Sequence, residues 1–201
     1  MPYEYRKLTS EEREQVLQQR RERGYPLHAP PHPFREAGRF FLTAANYEHV
    51  AIMARPDRCT DFEVCLFEAM HNIQADVFGW VVLPNHYHIL VDVRSLDDVS
   101  AALKQLHGTT SREWNQADHE TGKRRVWYKF ADRMIRDEAH FYRALNYIHY
   151  NPVKHGYTDD PYEWPWSSLH DYLESEGCGR EWLREKWRGF PLGDFGKGWD
   201  D

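Results

Sequence analysis

The chain has 201 residues, the length of about one domain, with 41% hydrophobic and 29% charged residues. That balance excludes general disorder, and a chain of this size can bury a self-sufficient core. The formal charge of −6 excludes a uniformly basic surface, so a nucleic-acid partner requires a local basic patch. Aromatic residues reach 15%, with eight Trp and twelve Tyr, which suits either stacking surfaces or a Trp-rich core. Cys59, Cys65 and Cys178 are odd in number and lack a CxxC spacing, which reads as free thiols in a reducing compartment. The amino terminus has no apolar signal core and no run of 18 apolar residues occurs, so the expectation is a cytoplasmic protein with no membrane partner.

In chain order, residues 10–23 read as a charged surface helix with Ser10 as N-cap and Gly24 as stop. Four prolines between Pro26 and Pro33 then impose an extended arm. RFFLTAA (39–45) has the aromatic and β-branched content of a strand. DFEVCLFEAMHNI (61–73) predicts a helix capped by Asp61, with Val64, Phe67, Ala69 and Met70 near helical spacing. DVFGWVVLP (76–84) and HYHILVDV (86–93) read as two strands joined at Pro84-Asn85. Ser95 opens a second helix over 97–115, with Val99, Ala102, Leu103 and Leu106 on one face. Residues 125–136 hold a further short strand, and 137–151 form a third helix that Pro152 is expected to end. The order is the βαββαβ pattern of a ferredoxin-like antiparallel sheet, α+β in class, with an added carboxyl-terminal helix. Three segments are expected: an N-terminal helix and Pro-rich arm (1–37), a compact domain (38–173) and an aromatic-rich tail (174–201).

His86 and His88 flank Tyr87 on a predicted strand, so alternation turns both imidazoles to one face and Tyr87 to the other. Such a pair can close on one divalent metal, or be hydrogen-bonded and inert. Tyr147 and Asn151 stand at i and i+4 and share a helical face. A phenol needs a metal or base beside it to attack, and an amide oxygen suits Mg²⁺ or Mn²⁺. Two imidazoles, one amide and one Tyr would together make a metal-assisted phosphoryl-transfer site; packing and helix-end capping are the alternative roles for Tyr147 and Asn151. Tyr142 and Tyr150 are rival nucleophiles, but both lie off the face of Asn151.

LPNHYHILV (83–91) resembles the His–hydrophobic–His motif of HUH nucleases, and NYIHYNPVKHGY (146–157) and EWPWSSLHDY (163–172) resemble segments of the REP-associated tyrosine transposases. The resemblance spans about Gly38 to Tyr172. It implies a single-tyrosine endonuclease and strand transferase with the HUH fold, acting on single-stranded DNA hairpins formed by palindromic repeats. His86 and His88 would then be metal ligands with Asn151 as the third, Tyr147 would form a 5′-phosphotyrosine link, and the cofactor would be Mg²⁺ or Mn²⁺. Relatives of this kind act as monomers or homodimers. A DNA-hairpin binding protein without chemistry and a water-using metal-dependent phosphodiesterase are the alternatives.

Residues 104–136 carry Lys104, Arg112, Lys123, Arg124, Arg125, Lys129, Arg133 and Arg136 against four acids, a local charge of +4. Trp114, Trp127 and Tyr128 are interleaved, a combination that suits a single strand and equally suits a solvated loop over core Trp residues. Lys154 after the Tyr joins these as a DNA-binding candidate, with Arg35, Arg39 and His155 behind it.

Overall fold

The computed structural model describes residues 37–120, 124–174 and 179–189, together with Thr9, Glu11, Gln15 and Gln18. The expected helix 10–23 and Pro-rich arm therefore lie almost wholly outside the described residues, as do Arg35, Lys123 and Cys178.

Alternation of side chains builds a sheet with two apolar faces. Strand β1 (Gly38–Ala45) lies between β3 (His86–Val93) and β4 (Ala131–Met134), and β2 (Asp76–Val82) pairs with the outer side of β3. Every neighbouring pair is antiparallel, in the order β2-β3-β1-β4. This is the ferredoxin-like arrangement expected from the order of elements. Phe40, Leu42 and Ala44 of β1 and Tyr87, Ile89 and Val91 of β3 face two helices, α1 (Pro56–Asn72) and α2 (Leu96–Ala117). Phe41 and Leu90 face the other way, against Ala144, Leu145, Tyr147 and Ile148 of α3 (Glu138–Lys154). Burying each of the larger aliphatic side chains at that contact contributes about 1.5–3 kcal/mol, so α3 is held mainly by its apolar stripe. Gly79 permits the approach: a Cβ there would stand 2.6 Å from Leu145 Cδ1.

Two boundaries differ from expectation. Helix α1 begins at Pro56, where a proline costs no hydrogen bond, so Asp61 lies inside the helix and not at its cap. Its buried stripe is Cys59, Phe62, Leu66 and Met70, whereas Val64 is exposed. Helix α3 runs through Asn151-Pro152 for one more turn. Pro152 is buried there, and the real stop is Gly156 at φ +70°. Around it Tyr157 N–H donates to Pro152 C=O (2.9 Å) and Gly156 N–H to Val153 C=O (3.0 Å), a Schellman closure.

The segment after α3 clamps that helix to the sheet edge. Val82 N–H donates to Trp166 C=O (3.0 Å), and Trp164 Nε1 donates to Val82 C=O (3.0 Å). Ser168 Oγ accepts from Trp80 N–H (2.9 Å) and lies 2.9 Å from Nε2 of His149 on α3. Helix α4 (Leu169–Glu174) follows, and α5 (Arg180–Gly189) buries Leu183 and places the Arg180 guanidinium 4.3 Å from the Tyr162 ring centre. Among the described residues no helix is long and apolar enough to cross a membrane. Cys59 and Cys65 are free thiols, and burial pushes the Cys59 thiol up to about 12.

Candidate active site

The even-numbered residues of β3 point toward α3, so His86 and His88 emerge on the sheet face that this helix covers. Their rings lie 5.0 Å apart, and both side chains are buried. Phe41, one strand away, stacks on His88 at 5.1 Å and fixes its plane. From above, α3 lowers Tyr147 onto the same group, its ring 5.3 Å from His88 and 5.9 Å from Phe41. Asn151, one turn later and fully buried, sets Oδ1 3.0 Å from His86 Nε2. The fold thus brings together His86, His88, Tyr147 and Asn151.

Hydrogen bonding defines the state of His86. Its Nδ1 donates to Asn85 Oδ1 at 2.6 Å, and Asn85 Nδ2 donates to His49 C=O at 3.2 Å. His49 and Glu48 form a left-handed turn at φ 54° and 56°, a conformation uncommon outside glycine. A neutral imidazole with its proton on Nδ1 carries a lone pair on Nε2, which here faces the lone pairs of Asn151 Oδ1. A proton or a cation on Nε2 reconciles the two, as does a turned Asn151 amide whose otherwise unpartnered Nδ2 donates to Nε2. Adjacent ligands of an octahedral ion at about 2.1 Å stand about 3 Å apart, and the observed separation matches that edge. Two imidazole nitrogens and an amide oxygen therefore fit a hard or borderline divalent ion. Among the described residues no cluster of three His, Cys, Asp or Glu offers a competing site.

One partner of Tyr147 was missed by the sequence reading. Because α3 continues past Pro152, Lys154 falls at i+7 from Tyr147, on its face, and its Nζ donates to Tyr147 Oη at 2.9 Å. The ammonium also lies 4.8 Å from the Tyr147 ring centre. Gly156, two residues beyond Lys154, was the available signal that the helix ran on. His155 packs its ring 4.8 Å from that of His86. Tyr142 is half-buried against Phe141, and Tyr150 is 44% exposed, away from the cluster.

The structure divides the expected basic patch. Lys104 and Arg112 are exposed on α2, the helix packed on the face opposite the His pair. Arg124 is committed internally: its Nη2 meets Asp118 Oδ2 at 2.7 Å and its Nε donates to Asn115 Oδ1 at 2.7 Å. Asp118 also receives Arg58, and those hydrogen bonds, Arg58 first, hold its carboxyl down at about 2. Trp114 and Trp127 are core residues beside Phe62 and not stacking platforms. Arg125 and Lys129 are exposed near the end of β1 that carries Ala45, the cross-strand partner of His86. Arg133, opposite Phe41, projects on the His face, and Arg136 is exposed just before α3. Arg39 is paired with Asp92 at 3.4 Å and lies over the Phe78 and Phe141 rings.

An antiparallel ferredoxin-like sheet with paired histidines on a central strand, closed by a helix that carries a tyrosine, defines the HUH class of DNA-processing enzymes. The chain belongs to the IS200-like transposase family, which it matches over residues 44–149. Transposases cut and rejoin DNA, so the protein is an enzyme of that kind. It is similar to a REP-associated tyrosine transposase of Haemophilus influenzae, 26% identical over 74% of this chain and 89% of the relative. It is also similar to the REP-associated tyrosine transposase of Escherichia coli K12, 30% identical over 47% of this chain and 54% of that one. The fold matches the solved structure of a REP-associated tyrosine transposase bound to a REP hairpin, with TM-score 0.60 and 20% identity over 75% of this chain and 88% of that one.

Proposed function

We propose that the protein is a metal-dependent single-stranded DNA endonuclease and strand transferase that works through a 5′-phosphotyrosine link on hairpins of palindromic repeats. The convergence of His86, His88, Asn151 and Tyr147 beneath α3 is the observation that carries this reading. The hairpin-bound state of the solved relative supports the substrate. Residues 38–173 form the catalytic unit, with 1–37 and 174–201 as its arm and tail.

His86, His88 and Asn151 would hold Mg²⁺ or Mn²⁺, which would polarise the scissile phosphate. Tyr147 Oη attacks phosphorus, the P–O3′ bond breaks, and the departing 3′ oxygen leaves as a hydroxyl with the proton that the phenol gives up. Lys154 keeps an ammonium at Oη, where negative charge develops as that proton leaves. Rejoining is the reverse: a 3′-hydroxyl attacks the phosphotyrosine and returns the proton to Oη, so no ATP is needed. Arg133 supplies positive charge on the same side of the sheet, with Arg125 and Lys129 near the end of β1 that carries Ala45; Lys104 and Arg112, on the opposite face, would meet only DNA that wraps around the domain.

The test is incubation with a labelled single-stranded repeat hairpin in Mn²⁺, in Mg²⁺ and in EDTA, read as a covalent adduct on a denaturing gel and mapped by mass spectrometry. A metal-dependent adduct on Tyr147, absent in Tyr147→Phe while hairpin binding persists, is expected. Cleavage without any adduct would transfer the assignment to a water-using phosphodiesterase; binding with neither would leave a hairpin-binding protein.

A further inference from the structure

Beyond the end of β1 the chain from Val126 to Tyr128 runs antiparallel to residues 45–47, with Tyr128 N–H on Ala45 C=O (2.9 Å) and Tyr47 N–H on Val126 C=O (2.7 Å). The bridge between Asn46 and Trp127 sets the alternation: Trp127 enters the core on the α1–α2 face. Tyr47 opens the 3-10 turn that follows β1, and Tyr128 packs against it. Their rings meet at 5.0 Å, and the Arg125 guanidinium lies over both, 4.8 Å from Tyr47 and 5.5 Å from Tyr128. Arg125 Nε donates to Trp127 C=O (3.2 Å), which fixes the group in place.

We infer that Tyr47, Arg125 and Tyr128 form a stacking platform for an unpaired base of single-stranded DNA next to the scissile phosphate. Three observations carry it. Arg125 is exposed and forms no ion pair among the described residues, so its charge is available to a polyanion. A guanidinium already stacked on tyrosines offers a planar cationic surface to a base. The Tyr128 hydroxyl is buried with no hydrogen-bond partner among the described residues, although the residue is 8% exposed, and a base edge can supply that partner. The platform is continuous with the active site: Ala45, which accepts from Tyr128, is paired with His86, two residues before Tyr47. Placement next to the scissile phosphate rests on the nuclease reading; binding of a single strand at the platform does not.

The experiment is binding of a single-stranded 12-mer containing 2-aminopurine in EDTA, so that no chemistry intervenes, followed by fluorescence quenching and by titration. One stacked base corresponds to roughly 5- to 150-fold in affinity. Wild type is expected to quench the probe, and Tyr47→Leu and Arg125→Gln to lose affinity in that range with unchanged circular dichroism. Arg125→Lys, which keeps charge but not the plane, is expected to lose most of the quenching. Wild-type affinity and quenching in both Tyr47→Leu and Arg125→Lys, or absence of single-strand binding by the wild type, overturns the platform. If the strand binds here but Tyr147 forms no adduct with metal, the nuclease reading fails and the platform stands.

Discussion

Replacing Lys154 by Met keeps the length of the aliphatic stem and removes the ammonium 2.9 Å from Tyr147 Oη. The group matters most when the phenol oxygen bears negative charge. At 2.9 Å the Coulomb energy between unit charges is about 1.4 kcal/mol with the dielectric of water and about 6 kcal/mol at an effective value of 20. Lys154 is exposed whereas Tyr147 is buried, so the lower part of that span applies, about 1.4–3 kcal/mol once solvent screening is counted. Adduct formation at saturating DNA should therefore slow by about 10- to 150-fold. Hairpin affinity should change little, and Lys154→Arg should recover part of the rate. The assay is single-turnover formation of the phosphotyrosine adduct, with affinity measured separately on the same hairpin. A Lys154→Met enzyme that forms the adduct at the wild-type rate but binds DNA weakly would refute the reasoning, because Lys154 would then be a phosphate contact.

Asn85→Ala removes the acceptor that holds the His86 proton on Nδ1, and Mn²⁺ affinity should fall about 10- to 100-fold by titration calorimetry. Asn85→Asp, which keeps an acceptor, should restore most of that affinity; equal affinity in Asn85→Ala and wild type would discard the orienting role. His149 is fully buried, and burial lowers it from 6.5 to about 3, so the unfolded chain takes up a proton between those values and the folded one does not. Its contribution to stability is complete above pH 6.5 and is lost as pH falls toward 3, by about 1.4 kcal/mol between pH 7.5 and 5.5. Buried His107 adds a like share, so in urea unfolding at the two pH values His149→Gln should reduce the decrement by about that amount without abolishing it; an unchanged pH slope in the variant would contradict the assignment.

Whatever a local period can encode is legible in the chain alone. Alternation at His86, Tyr87 and His88 dictates that two imidazoles share a face, and the spacing of Tyr147 and Asn151 dictates one helical face, whatever lies opposite. The strand and helix order was equally legible, because each element carries its own apolar pattern. Tertiary structure decided which faces meet. Packing of Leu145 and Ile148 against the sheet sets Tyr147 over His88, and in the folded chain α3 continues past a proline whose local preference is to end a helix. That extra turn delivers Lys154 to the tyrosine. Charges were the least legible feature, since a side chain's partner lies far away in sequence: Arg124 is consumed by Asp118, while the adjacent Arg125 stacks on tyrosines beside the site. The aromatic excess divided in the same way, Trp114 and Trp127 into the core and Tyr47 to the half-buried turn after β1, because burial is a property of the assembled sheet and not of any one segment.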